Sequence, residues 1–221
     1  MIKIENTEVY GFEAAIRGMR NPKNSWDLSD TEYADEGGYL RVPNIGEKDL
    51  KLMKTLAAAG NDHGKFMRMI NVTCDIIAPL YWWKEFDTYK VGTVADSCST
   101  MHKIADKAFT MDDFSCEHLI SDEDLADYGS EWYPPKEILN IIIYSLNGAR
   151  KEFLETNDKK YWWQMIQLLP CSYNQRRTVQ LNYAVLKNMY HARRAHKLTE
   201  WIDFCKWIET LPYAKELICF E

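Results

Sequence analysis

One stretch of the sequence, residues 88–101, gathers side chains that could bind a small ligand or react with it. It reads Thr-Tyr-Lys-Val-Gly-Thr-Val-Ala-Asp-Ser-Cys-Ser-Thr-Met. Lys90 carries a charge suited to a phosphate, Asp96 could act as an acid–base group, and Cys98 could act as a nucleophile. Each has a simpler alternative: Asp96 as a turn-forming carboxylate, and Cys98 as a small, inert, space-filling thiol.

A second group of polar residues lies near the C-terminal end, where Asn182 and Asn188 precede Arg193. The two amides and the guanidinium of Arg193 could bind a small ligand. The alternatives are capping of a strand or helix by the Asn residues and an ordinary surface cation for Arg193. The pairs 176–177 and 193–194 are both Arg-Arg, so they could clamp a phosphate or remain solvated.

Composition narrows the class of protein. The chain has 221 residues, 46% hydrophobic and 27% charged, with a net charge of −6, which favours a globular protein over one that binds duplex nucleic acid. Six Cys without a CxxC pair, and no signal peptide, predict reduced thiols in a cytoplasmic protein. No apolar run is long enough for a membrane helix, and no His spacing indicates a metal site.

The elements that must position these residues follow from apolar periodicity and from Gly, Pro and Asp at segment ends. Residues 20–46 predict a long loop, residues 91–101 another loop, and residues 110–132 an acidic connecting segment within one domain, 1–221. The helix over 136–156 is apolar nearly all round, which predicts that it is buried. Further helices are predicted over 12–19, 46–59, 80–90, 158–169, 184–192 and 198–211, and strands from 2–4, 66–78 and 177–183.

The order of Ala78-Pro79, a helix and the 88–101 loop resembles the flavin-dependent thymidylate synthases, whose signature reads Arg-His-Arg-x-x-Ser-x-Asn-Glu-x-Ser-x-Arg-Tyr. The spacing matches without a gap, as does that of a second block from Leu169-Pro170 to Arg193. The resemblance spans roughly residues 10–211. It implies an α/β (α+β) fold in which helices pack around a small, mainly antiparallel sheet.

The resemblance also assigns expected roles, and it shows departures at the chemistry. Tyr89 and Lys90 stand with Thr88 where the family has Arg-His-Arg, and they are expected with Asn182 and Asn188 at the flavin. Arg193 stands where the family polarises the pyrimidine carbonyl, and it is expected to be catalytic with Asp96 and Cys98. Expected substrate contacts are Lys84, Glu85, Thr93, Thr100 and His102. A further family Arg falls at Ile166, so phosphate recognition would depend on other cations, drawn from Lys84, Lys90, Lys103 and Arg68.

By resemblance, the chain would transfer a one-carbon unit from methylene-tetrahydrofolate to C5 of a pyrimidine nucleotide, using FAD, with NADPH as reductant. The family works as homotetramers with sites shared between subunits. The first alternative is a non-catalytic relative that binds a nucleotide or a partner protein, because several family cations are absent. The second is a transferase that uses Cys98 without flavin. Other residues keep open alternatives: core packing for Tyr89 and a solvated position for His102.

Overall fold

The chain forms a small β-sheet from segments that lie far apart in sequence. The computed structural model describes residues 2–33, 42–121, 123 and 133–220. Its strands are β1 (Lys3–Tyr10), β2 (Asn71–Pro79), β3 (Val94–Ser97) and β4 (Asn174–Asn182), in the order β1-β2-β4-β3. β2 and β4 are antiparallel, since Tyr183 N donates to Ile70 O and Leu80 N donates to Tyr173 O at the opposite ends of the pair.

Helices precede and follow these strands. In the described residues they are α1 (Phe12–Arg20), α2 (Glu47–Ala58), α3 (Leu80–Phe86), α4 (Thr100–Lys103), α5 (Pro135–Thr156), α6 (Lys159–Leu168), α7 (Tyr183–Arg193), α8 (Thr199–Glu209) and α9 (Ala214–Leu217). Local sequence explains several ends: Pro135 opens α5, and the Asp158 carboxylate accepts from Lys160 N at the start of α6. The predicted fold, helices with a small, mainly antiparallel sheet, is confirmed.

The chain divides into two compact units, and the division passes through β2 and β4. The α5–α6 unit comprises Ile77–Phe86 and Ser97–Arg177, and the α7–α8 unit comprises Ile2–Ile76, Asp87–Asp96 and Thr178–Glu221. That one domain covers residues 1–221 stays a prediction.

Each unit has its own apolar core. In the α5–α6 unit, Leu146 and Met165 are fully buried in a cluster with Phe109 and Phe114. The Trp82 and Trp83 side chains are 0% and 1% exposed, so both are core residues. In the α7–α8 unit the fully buried side chains include Phe12, Ile16, Met53, Phe66, Ile70, Val72, Tyr183, Trp201 and Phe204.

Several predicted elements differ from the observed ones. The 91–101 loop contains β3 and the start of α4, because polar residues here pair with a neighbouring strand despite their low strand propensity. The strand predicted over 66–78 begins only at Asn71, since Gly64–Met69 forms a 3₁₀ helix. The helix predicted over 80–90 ends at Phe86, and the strand predicted from 177 starts at Asn174.

The prediction that α5 is buried all round is wrong. Only Leu139 and Leu146 are buried, whereas Ile141 and Tyr144 are 59% and 81% exposed. The cause is geometric: α5 packs against α6 along one side, so the apolar residues on its other side lie at the surface.

Two predicted connecting segments are described only in part. Between α1 and α2 the chain forms 3₁₀ turns at Asn21–Lys23 and Trp26–Leu28 and a bridge from Glu32 to Asn44, while 34–41 lie outside the described residues. In the acidic segment 110–132, a 3₁₀ turn covers Met111–Asp113, and 122 and 124–132 lie outside the described residues. No helix in the described part of the chain combines the length and the apolar character needed to cross a bilayer.

Candidate functional site

The α7–α8 unit contains a cavity of about 300 Å³ beside the first turns of α7. Asn182 and Asn188, both expected at the flavin from the family resemblance, line it together. The other lining residues come from the end of α2, the 3₁₀ helix Gly64–Met69 and the 88–101 segment, and they are Ala57, Gly60, Asn61, Gly64, Met67, Arg68, Val91, Gly92, Ala184, Val185 and Lys187. The cavity therefore joins amide side chains to two cations.

Gly92 forms one wall of this cavity with bare backbone. Its φ is +82°, in the left-handed region that favours glycine, and a Cβ there would lie 2.8 Å from Val185 Cγ2 and 3.1 Å from Asn182 Nδ2. Asn182 also caps α7, since its Oδ1 accepts from Val185 N at 3.0 Å. The capping alternative considered for Asn182 is thus present, while its amide nitrogen lies next to Gly92 at the cavity.

Arg193, at the C-terminal end of α7, is held by aromatic side chains in the same unit. Its Nε donates to the Tyr89 hydroxyl at 2.9 Å. Its guanidinium lies 4.7 Å from the centroid of the Trp201 ring, a cation–π distance. His196 Nε2 lies 3.0 Å from Arg193 Nη1. Arg193 is therefore a half-buried, oriented cation. Tyr89, which is half-buried and not part of the buried core, fixes its position.

The α5–α6 unit contains a second cavity, of about 510 Å³. Two predicted site residues, Cys98 and Thr100, line it with the cationic side chains of Lys103, Lys107 and Arg176. Its remaining lining residues are Ile77, Ser99, Ile104, Thr110, Asp112, Asp113, Tyr173, Asn174 and Gln175. Polar hydroxyls, an exposed thiol and cations thus surround a space large enough for a small polar ligand.

The charges around this second cavity are partly balanced. Lys103 Nζ lies 2.9 Å from Asp106 Oδ2, and Lys107 pairs with Asp113. The hydrogen bond from each ammonium to its carboxylate raises the pKa of both lysines, so both stay charged. An anion entering the cavity would therefore meet lysines already oriented by acidic neighbours.

Gln175 organises the wall that carries Cys98. Its Nε2 donates to Cys98 O at 3.0 Å and to Thr100 Oγ1 at 3.1 Å. Its Oε1 accepts from Arg177 Nε at 3.0 Å, and Arg177 lies over the Trp83 ring at 4.2 Å. One amide thus ties β4 to the Cys98 backbone and to the Thr100 hydroxyl, and a stacked guanidinium holds that amide.

The other predicted site residues line neither cavity. Asp96 is exposed on β3, so the turn-forming alternative does not apply to its backbone. His102 is exposed on α4, and its backbone N–H donates to Ser99 Oγ. Thr93 donates to Tyr89 O, which braces the segment around Arg193. Lys84 is exposed and Glu85 half-buried on α3, and Lys90 is exposed; their ligand roles stay predictions.

Sequence reasoning missed Gln175, Lys107 and Lys187. Gln175 contacts residues 75 and 77 positions away, so local pattern carries no trace of its role. Lys187 could have been found from the sequence, because it lies one residue before Asn188 on the same helix, α7.

Comparison with known proteins gives a match only at the level of structure. No protein-family model matches the chain, and no curated protein matches it. Two solved structures of the flavin-dependent thymidylate synthase ThyX from Helicobacter pylori, with FAD and dUMP, share 17% identity. The first aligns over 98% of this chain and 97% of that chain with a TM-score of 0.67, and the second over 99% and 97% with 0.66.

A third structure extends the comparison. The UMP/dUMP methylase PolB from Streptomyces cacaoi, bound with 5-Br dUMP, shares 15% identity over 100% of this chain and 96% of that chain, with a TM-score of 0.61. The chain therefore has the fold of these nucleotide-methylating proteins along its whole length.

Proposed function

We propose that this protein methylates C5 of a pyrimidine nucleotide, with a flavin-dependent, thymidylate-synthase-like mechanism. The observation that carries the proposal is the end-to-end similarity of fold to proteins solved with FAD and dUMP or with 5-Br dUMP. The positions of Arg193, Asn182 and Asn188 in the α7–α8 unit, and of Cys98 and Thr100 in the α5–α6 unit, are compatible with it. At 15–17% identity the chemistry itself depends on the residues of this chain.

The nucleotide is proposed to use the cavity of the α5–α6 unit. Thr100 offers a hydroxyl, while Lys103 and Arg176 offer charge-assisted hydrogen bonds to a phosphate. Each such bond contributes about 1.5–3 kcal/mol, so two of them supply a large part of a micromolar affinity. They would replace cations that the family has in its signature and this chain lacks.

The residues of the α7–α8 unit fit a flavin. Asn188 and the amide nitrogen of Asn182 match the polar edge of an isoalloxazine ring, and the bare backbone of Gly92 admits a flat group close to the wall. Lys90 lies in the same unit and is the one cation left of the family's Arg-His-Arg. A reduced flavin bound there would supply the hydride that converts the transferred methylene carbon to methyl.

The proposed tetramer has sites shared between subunits, so Arg193 is proposed to complete the nucleotide site of a neighbouring subunit. There it would stabilise the negative charge that develops on the pyrimidine carbonyl as carbon adds to C5. The guanidinium is already oriented by Tyr89 and Trp201, so little reorganisation is needed when that charge appears. The C5 proton leaves as the new carbon–carbon bond is completed, and Asp96 is the proposed acid–base group for a proton transfer. The one-carbon donor is proposed to be methylene-tetrahydrofolate, whose bonds from the methylene carbon to nitrogen break so that tetrahydrofolate leaves. Hydride donation would leave the flavin oxidised, and NADPH is the proposed reductant that would restore it.

The proposal includes a homotetramer in a cytoplasmic setting. The exposed apolar residues Ile141 and Tyr144 on α5 support burial of that helix against other subunits. Light scattering after gel filtration tests this part: four chains per particle supports it, and a monomer at micromolar concentration opposes it.

A second function has one specific observation in its favour. Thr88 and Tyr89 stand where the family has Arg and His, and the Tyr89 hydroxyl is engaged by Arg193. A non-catalytic relative that binds a nucleotide without flavin would have no need of the missing cations.

The visible spectrum distinguishes the two functions. The purified protein is incubated with excess FAD, passed through gel filtration and scanned. The proposed enzyme retains flavin absorption in the protein peak, and excess FAD increases it. A colourless peak that nevertheless binds dUMP by calorimetry favours the non-catalytic relative. Asn188→Leu is the matched variant, since it removes one amide from an exposed helix position and is expected to weaken flavin retention.

A further inference from the structure

We propose that Arg68 and Lys187 form an anion subsite in the α7–α8 cavity that binds the phosphate of a phosphorylated ligand. The inference rests on the proposed function, because that function makes the flavin nucleotide the ligand. The shared chemistry is a phosphate or pyrophosphate group, whatever carries it.

The first argument is the balance of charge in the cavity. Arg68 and Lys187 are its charged lining residues, and no Asp or Glu lines it within the described chain. The α5–α6 cavity differs, since Asp112 and Asp113 accompany its cations. Two cations that line one cavity without a carboxylate repel each other and gain when an anion binds between them.

The second argument is the state of each cation. Within the described residues, Arg68 makes no ion pair and no side-chain hydrogen bond, although it belongs to the 3₁₀ helix Gly64–Met69. Lys187 Nζ donates to Ala57 O at 2.7 Å and lies 4.1 Å from the centroid of the Phe220 ring. Burial lowers the pKa of Lys187, and a bound anion would offset that desolvation.

The third argument concerns the remaining lining groups. Asn61 and Asn188 add amide donors, and the backbone at Gly92 leaves room for a group to approach closely. In the family that the chain resembles, the signature's Arg-His-Arg holds the flavin's phosphates and ring, and of its cations this chain keeps only the one at Lys90. Arg68 and Lys187 supply two cations from other parts of the chain, which is how the lost charge is recovered.

Three ligands distinguish binding of the phosphate groups from binding of the flavin ring. Inorganic pyrophosphate carries only the anion, riboflavin only the ring, and FAD both. Binding of each is measured by calorimetry and by quenching of intrinsic fluorescence at low and high salt. The variants are Arg68→Gln, Lys187→Gln and the charge-preserving Lys187→Arg, with Lys54→Gln on the exposed side of α2 as the control.

The subsite predicts a selective pattern. Arg68→Gln and Lys187→Gln each weaken pyrophosphate and FAD about tenfold or more and leave riboflavin unchanged, whereas Lys187→Arg and Lys54→Gln stay within about twofold of the unaltered protein. Circular dichroism and thermal unfolding identify any variant that is misfolded, and Arg68→Gln, at an exposed position, carries the test if Lys187→Gln is.

Two results overturn the inference: unchanged pyrophosphate and FAD affinity in Arg68→Gln, or an equal loss in Lys54→Gln. The proposed function fails differently. If no flavin binds but pyrophosphate binding depends on Arg68 and Lys187, the anion subsite stands and flavin chemistry does not. If flavin binds regardless of both cations, flavin chemistry stands and the subsite does not.

Discussion

Replacing Tyr89 by Phe removes one oxygen and leaves the ring in place. The lost atom accepts from Arg193 Nε at 2.9 Å, in a half-buried pair. A hydrogen bond to a charged group is worth about 1.5–3 kcal/mol, and the lower value applies because water reaches this pair and can replace the phenol. Arg193 keeps its contact with the Trp201 ring at 4.7 Å, so it becomes less ordered without being released.

The expected result is a loss of roughly tenfold in the apparent affinity or kcat/KM for the nucleotide, corresponding to about 1.4 kcal/mol, and a loss of about 1 kcal/mol in the free energy of unfolding. Calorimetry, initial rates and urea unfolding measure these three quantities. The control is Tyr133→Phe, because the Tyr133 side chain is 75% exposed and its hydroxyl makes no side-chain hydrogen bond in the described part of the chain.

A Tyr89→Phe protein with unaltered nucleotide affinity, rate and stability would refute the argument that Tyr89 orients Arg193. Equal losses in Tyr89→Phe and Tyr133→Phe would refute it as well, because the effect would then not depend on the bond to Arg193.

Three further experiments test other contacts, two of them with substitutions and one with a bound nucleotide. Asp49→Ala removes a fully buried carboxylate that Arg20, Ser29 and Thr31 all contact, and it should cost about 3–5 kcal/mol of unfolding free energy in urea titrations. Burial would raise the pKa of Asp49, but these hydrogen bonds outweigh it and lower the pKa, so its stabilisation is present above about pH 4 and lost as pH falls; a midpoint independent of pH from 6 to 3 would contradict this. Gln175→Ala frees the backbone around Cys98 and should speed amide exchange there several-fold, while unchanged exchange would show that Gln175 holds nothing. A bound pyrimidine nucleotide should slow alkylation of Cys98 but not of the exposed Cys171, by peptide mass spectrometry; equal rates with and without nucleotide would remove the ligand from that cavity.

The local sequence pattern was sufficient to predict much of the fold. The α6 cap at Asp158 follows from a side chain that reaches its own helix, and the predicted helix over 12–19 matches α1 because its apolar spacing is local. The error at residues 91–101 has the opposite cause: β3 exists because β4 pairs with it from far along the chain, and its own residues are all exposed.

The residues of the candidate site also differ in whether the local sequence could predict their roles. Positions carried over from spacing brought Asn182 and Asn188 to one cavity. The Arg193–Tyr89 bond joins residues 104 positions apart, and the cavity role of Lys187 depends on α2 and the 3₁₀ helix before β2. Such contacts are fixed by tertiary packing, so no window of sequence contains them. The exposure of α5 likewise depends on what packs against it, which composition alone does not tell.

The most direct test of the proposed methylation follows the carbon. The protein is incubated with FAD, NADPH, dUMP and methylene-tetrahydrofolate labelled with ¹³C in the methylene group, and the nucleotide is analysed by mass spectrometry and NMR. The account predicts a nucleotide that carries the label as a methyl group on C5, and a strong decrease with Arg193→Ala. An unlabelled nucleotide from a protein that binds both FAD and dUMP would contradict it.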